Sequence, residues 1–163
     1  MDRLTKKFIY DKIIIRRWIN LILEKSCGAV VLRRGKSGKT EVLLVKMNNG
    51  MHYSFPKGHV EKDETERMTA HREILEETGL SVDFIGDFRG CTRYSPKRGV
   101  MKDVIFFLAT PSGGELHRQV EEISEAFWAP AEEALRLVTF DNDKKILSGA
   151  LCAYEKTEGS PQC

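Results

Sequence analysis

The stretch from Thr65 to Gly79 constrains this chain more than any other part of it. Its apolar residues recur at helical spacing up to Thr78, and Gly79 then supplies the usual stop just past a helix end. On a helix that advances roughly 100° per residue, Glu73, Glu76 and Glu77 fall at about 0°, 300° and 40°, so three carboxylates share one face. Met68, Ala70, Ile74, Leu75 and Thr78 form the opposite arc and are expected to face a core. Such a face opposes helix formation. Glu73 and Glu77 repel at i,i+4 and all three acids lie near the negative end of the helix dipole, each effect unfavourable by about 0.3–1 kcal/mol. A divalent cation would offset that repulsion, because clustered carboxylates are the hard oxygen ligands that Mg²⁺ takes. The alternative is a solvated acidic face neutralised by Arg67 and Arg72.

The flanking sequence says what this helix packs against. Ala29 to Leu32 and Val42 to Val45 read as strands of a hairpin, joined by a Gly-, Lys- and Ser-rich loop from Arg34 to Thr40. Further strands are expected at Val82 to Phe88, Val104 to Ala109 and Ala126 to Ala129, then helices from Ala131 to Leu137 and Asp141 to Lys156. Interleaved strands and helices without internal repeats predict one α/β unit, a mixed sheet with helices on its faces. The length of 163 residues suits a single domain with one core. Ile9, Ile13, Ile14, Trp18, Leu21 and Ile22 suggest an additional amphipathic helix within residues 1–25, able to pack on the domain or on a second copy as a homodimer contact. Asp11, Lys12, Arg16 and Arg17 interrupt that run short of the ~18 apolar residues that a membrane span requires. The folded domain is expected over 26–157 and a flexible tail over 158–163.

With 26 basic and 24 acidic side chains, the net charge of +2 gives no overall field toward nucleic acid, and no stable nucleic-acid partner is expected. Cys27, Cys91, Cys152 and Cys163 lack metal-ligand spacing and follow no secretory signal, so free thiols in a reducing cytoplasm are expected.

A wider pattern encloses the glutamate helix. Five residues separate Gly58 from Glu64, seven more separate Glu64 from Arg72, and Arg72-Glu73-Ile74-Leu75-Glu76-Glu77-Thr78-Gly79-Leu80 follows. These residues match the Nudix box at every defined position, and the chain resembles the Nudix hydrolase family from about residue 26 to 156. The resemblance implies an α/β/α sandwich whose loop-helix-loop box binds Mg²⁺ or Mn²⁺ on a diphosphate-containing substrate. It implies Glu73, Glu76 and Glu77 as metal ligands, Gly58 as backbone close to metal or phosphate, Arg72 holding the glutamates in place, and Glu64 supporting the loop. Glu122, on the approach to Trp128, matches a position where relatives carry a general base; an exposed acidic turn residue is the alternative.

The run His52-Tyr53-Ser54-Phe55-Pro56-Lys57-Gly58-His59-Val60-Glu61 is similar to the segment before the box in asymmetrical diadenosine tetraphosphate hydrolases. That likeness implies His52 and Lys57 on the phosphate chain, and it extends to the strand beginning at Lys102. Tyr94 and Phe140 match positions of base-stacking aromatics, with ordinary core or surface aromatics as the alternative. Arg89, Arg93, Lys97, Arg98 and Lys102 form a basic cluster suited to a phosphate chain. The rivals are a nucleoside triphosphate pyrophosphatase, an RNA 5′ pyrophosphohydrolase and a non-catalytic nucleotide-binding module, the last opposed by the intact glutamates.

Overall fold

Strand β1 (Ile22–Arg34) organises the molecule, because three other strands pair with it along its length. In this computed structural model, which describes residues 21–48, 52–119 and 121–159, the order continues as β2 (Thr40–Met47), β3 (Tyr53–Ser54), β4 (Lys57–His59), α1 (Glu66–Thr78), β5 (Leu80–Lys97), β6 (Val100–Gly114), β7 (Ile123–Pro130), α2 (Ala131–Leu137) and α3 (Asp141–Thr157). From Ile22↔Val100 to Val31↔Ala109, β1 runs parallel to β6. Beyond that it turns to pair antiparallel with β2, from Leu32↔Val42 to Arg34↔Thr40. β5 lies antiparallel on the outer side of β6, β7 and β3 pair with β2, and β4 lies against the middle of β1. The sheet is therefore mixed, in the order β3-β2-β1-β6-β5, with β4 and β7 attached to β1 and β2.

Alternation along β1 divides the core in two. Cys27, Ala29 and Val31 point to one face and pack with Ile105, Phe107 and the α1 residues Ala70 and Ile74. Val30 and Leu32 point to the other face, with Phe106, Leu108 and the α2 and α3 residues Ala134, Leu147 and Ala150. One helix on one face and two on the other give the expected α/β/α sandwich. Each fully buried Leu, Ile or Phe in these layers contributes about 1.5–3 kcal/mol by leaving water.

The helix ends have local causes. Thr65 caps α1, its Oγ1 accepting from the Met68 N–H at 3.2 Å, and Gly79 closes it at φ 72°, its N–H donating to Leu75 O at 2.8 Å. The face assignment within α1 needs correction. Ala70, Ile74 and Thr78 are buried as expected, but Met68 (55%) and Leu75 (43%) are exposed, while Glu77 is only 2% exposed. The buried arc is centred near Ile74, and Glu77 at about 40° falls inside its edge.

Other expectations change at the termini. Residues 22–25, assigned to an amino-terminal helix, belong to β1, where Val100 to Asp103 pair with them. A short run rich in Ile and Leu fits helix and strand periodicity alike, and the parallel pairing decides between them. The rest of the proposed helix, its homodimer contact and residues 160–163 lie outside the described residues. At the expected start of the tail, Glu158 N–H still bonds Tyr154 O at 3.2 Å and its carboxylate meets Arg34 at 3.2 Å. Cys27 and Cys91 are free, whereas Cys152 is disulfide-bonded, since bridging depends on spatial approach that sequence spacing does not reveal. Among the described residues no helix is long and apolar enough to cross a membrane.

β4 seats against β1 through Gly28, where an added Cβ would lie 2.1 Å from Pro56 O and 2.6 Å from Lys57 Cβ. The nearest obstacle is backbone and cannot swing aside. Gly28→Ala is expected to destabilise the protein by about 1–3 kcal/mol, read as a lower urea midpoint at unchanged m-value.

Candidate active site at the carboxyl end of the acidic helix

The last turns of α1 present Glu73, Glu76 and Glu77 to the loop that carries β4. Glu77 is the most buried of the three, and its Oε2 accepts the Lys57 backbone N–H at 3.0 Å. Burial pushes its carboxyl up to about 8; the Lys57 charge and hydrogen bond oppose the rise, and the charges on Glu73 and Glu122 add to it. Burial also raises the Glu73 carboxyl, against the pull of Arg72, with Glu76 and Glu122 again adding to the rise. The exposed Glu122 thus stands within electrostatic reach of the buried Glu77 and the half-buried Glu73, although it lies in a distant part of the sequence. Its turn is held by the Asn48 N–H, which donates to Glu122 O at 2.8 Å. Gly58 is required here, because a Cβ at that position would lie 1.9 Å from the Glu73 carboxylate carbon.

Arg72 is the hub of the cluster. Its Nε donates to Glu64 Oε1 at 2.7 Å and its Nη2 to Glu64 Oε2 at 2.9 Å, while Nη1 reaches Glu73 at 2.8 Å and Glu76 at 3.1 Å. Nη2 also donates to His59 O at 3.0 Å, tying α1 to the β4 loop. Glu64 further accepts from Thr69 Oγ1 at 2.7 Å and from the Glu61 N–H at 3.1 Å. Arg72 and Glu64 together tie α1 to the segment that precedes it. The carboxylates do not converge by themselves: among the described residues no three His, Cys, Asp or Glu side chains form a ready metal cluster. The donor chemistry nonetheless suits a hard divalent ion, since crowded acids with raised proton affinity are the groups that such an ion would let ionise together.

Register assigns the neighbouring groups to one face of the sheet, because directly opposed residues point the same way. Tyr94 is opposite Lys102, Lys102 opposite Glu24, Lys57 opposite Gly28 and His59 opposite Ser26. Lys102 Nζ stands 3.4 Å from His59 Nε2, and burial together with the charge on Lys57 holds its ammonium below the ordinary lysine range. On this face a cavity of about 470 Å³ brings together His52, Lys57, Tyr94 and Phe140. His52 and Phe140 have ring centroids 4.9 Å apart. Lys57 takes part in both halves of the site, its backbone on Glu77 and its side chain in the cavity wall.

The basic cluster is not a single phosphate surface. Arg89 forms a two-pronged pair with Glu66 at 2.8 and 2.9 Å, and Arg93 another with Asp103 at 2.5 and 2.7 Å. Both guanidinium groups are committed to carboxylates, and alternation turns Arg93 away from the face that holds Tyr94. Ser54, Thr92, Asn142 and Asp143 also line the cavity and were not singled out from the sequence. An acid in the first turn of a helix has a sufficient explanation in the helix dipole, which hid Asp143.

The NUDIX domain profile matches residues 24–149. Asymmetrical bis(5′-nucleosyl)-tetraphosphatase of Sus scrofa is 32% identical over 133 residues, spanning 76% of this chain and 90% of the relative. An 8-oxo-(d)GTP phosphatase of Mycolicibacterium smegmatis is 29% identical over 131 residues, spanning 76% of this chain and 40% of the relative. The crystal structure of a C. elegans Ap4A hydrolase binary complex superposes with a TM-score of 0.73 at 25% identity, covering 82% of this chain and 98% of that one. The chain belongs to the Nudix family. It is a Nudix hydrolase acting on nucleoside polyphosphates, and such enzymes generally use divalent metal ions.

The Arg72 hub should be visible in acid. Its guanidinium, with the Thr69 hydroxyl, lowers the Glu64 carboxyl from 4.5 to about 2. A carboxyl lowered on folding contributes stability that is complete above pH 4.5 and is lost as pH falls toward 2. Urea unfolding of Glu64→Gln across that window is expected to show a shallower fall in stability than the parent, with the two differing most near neutrality.

Proposed function

We propose that this hydrolase cleaves diadenosine tetraphosphate asymmetrically, to ATP and AMP, with Mg²⁺ held by Glu73, Glu76 and Glu77 beside the Gly58 backbone and Mn²⁺ able to replace it. The observation that carries this proposal is the position of Lys57, which belongs at once to the carboxylate cluster and to the aromatic cavity. A base between Tyr94 and Phe140 would run its phosphates past Lys57 toward the end of α1. Both aromatics are surface-accessible, at 43% and 49%, as stacking partners for a soluble ligand must be. The tetraphosphatase and Ap4A hydrolase named above support the same substrate class.

When bound, the divalent ion would neutralise phosphate charge and orient the scissile bond. The chain's own groups do the rest. Lys57 and Lys102 bring two cations to a strongly anionic chain, and His52 adds a hydrogen-bond donor at the cavity. Glu122 is exposed and within electrostatic reach of Glu73 and Glu77, where it would accept the proton of an attacking water. Arg72 keeps Glu73 and Glu76 on the same side of α1.

Incubation with diadenosine tetraphosphate and MgCl₂, resolved by ion exchange, is expected to yield ATP and AMP in equal amounts. Two ADP would refute asymmetric cleavage, and an inert dinucleotide beside a hydrolysed nucleoside triphosphate would transfer the assignment to a triphosphate pyrophosphatase. Glu77→Gln is expected to lose on the order of 100-fold or more in kcat while melting no lower than the parent, because the amide oxygen can still accept the Lys57 N–H and the neutral group costs no more to bury than the acid. Retained turnover in that variant would exclude Glu77 as a ligand. Phe140→Ala is expected to raise KM about tenfold with kcat nearly kept, the usual magnitude for one lost base-stacking partner.

A further inference from the structure

Asp143 has no part in the chemistry assigned to α1. It is 8% exposed in the first turn of α3, and it lines the cavity with Asn142 and Phe140. Its Oδ2 accepts from the Ser54 hydroxyl at 2.8 Å, the one hydrogen bond its side chain makes among the described residues. Burial raises its carboxyl, while Ser54 and the charge on Lys57 act in the opposite sense. A buried carboxylate calls for more than one donor, and among the described residues only Ser54 supplies one.

The remainder of the wall suits a flat ring. His52, Tyr94, Phe106 and Phe140 give the cavity aromatic sides, and a few polar groups in such a pocket fix a ligand's orientation. A carboxylate repels phosphate, so the phosphate end of a nucleotide belongs toward Lys57 and the base toward Asp143. An ionised carboxylate accepts hydrogen bonds and donates none. The edge of the ring that meets it must therefore present N–H groups.

We propose that Asp143 is a specificity-determining residue whose carboxylate accepts from the exocyclic amino group of the base, so that the cavity selects an amino-bearing purine. This rests on the cavity being the nucleoside site of the proposed function. Ser54 occupies Oδ2, which leaves Oδ1 for the ligand.

The test is calorimetric binding to the full chain without divalent metal, comparing ATP with purine riboside 5′-triphosphate, which differs from it only in lacking the amino group. ATP is expected to bind about tenfold more tightly, the usual size of one hydrogen bond to a charged acceptor. In Asp143→Asn the Ser54 hydroxyl holds the amide oxygen and turns the NH₂ toward the ligand, so the preference should fall to about one. In Ser54→Ala the carboxylate remains, and so should the preference. Equal affinities in the parent, no binding of either nucleotide, or an undiminished preference in Asp143→Asn would each overturn the proposal; the parent comparison decides even if the variant does not fold. Preference without cleavage of diadenosine tetraphosphate would retain the role of Asp143 and remove the substrate. Cleavage without preference would do the reverse.

Discussion

The site depends on a carboxylate placed where water hardly reaches it. Glu77 lies on the buried edge of α1, and the backbone N–H of Lys57 is the hydrogen-bond donor that the chain offers it. Burying an acid under these conditions opposes folding, and the raised proton affinity of Glu77 measures that opposition. The packing of Ala70 and Ile74 against β1 and β6 stabilises the helix enough to hold the acid in place. The same hydrogen bond fixes the β4 loop, so the position of the Lys57 side chain follows from where Glu77 is buried. Stability and chemistry pull against each other at this residue, as they commonly do where a fold carries an active site.

Two close approaches and one guanidinium make the arrangement rigid. Gly28 lets the Pro56-Lys57 backbone lie directly on β1, and Gly58 lets Glu73 press against the loop from the other side. Any side chain at either glycine would separate layers that must touch. Arg72 then joins the loop to the helix, its five donors divided among Glu64, Glu73, Glu76 and the His59 carbonyl. A lysine could supply the charge but not this planar fork.

What could be read in the sequence was whatever the chemistry demands at fixed local spacing. The acids of α1, the arginine beside them, and the two box glycines at Gly58 and Gly79 occupy positions set by helix geometry and loop length, which a linear sequence displays directly. The short strands β3 and β4 left no trace, because two or three residues cannot display alternation. Met68 and Leu75 were placed in the core because they are apolar; the helix buries an arc that takes in Glu77 instead. The basic cluster was read as one surface because register, which commits Arg89 and Arg93 to carboxylates, is a tertiary property. Asp143 and Ser54 meet across 89 positions, and neither residue type signals the other.

The two halves of the site have different physical characters, and their separation is informative. At the end of α1 the groups are acidic and crowded, with Arg72 bonded to Glu73 and Glu76, and Glu77 buried beside them. In the cavity they are aromatic and nearly neutral, with one acid whose partner is a hydroxyl. A ligand that satisfied both would be apolar and flat at one end and polyanionic at the other, with Lys57 at the junction. Stacking is indifferent to the phosphate chain, and the acids of α1 carry charge of the same sign as it. One covalently continuous ligand would be needed to reach both halves. The hydrogen bond from the Lys57 N–H to Glu77 fixes the spacing between the two halves.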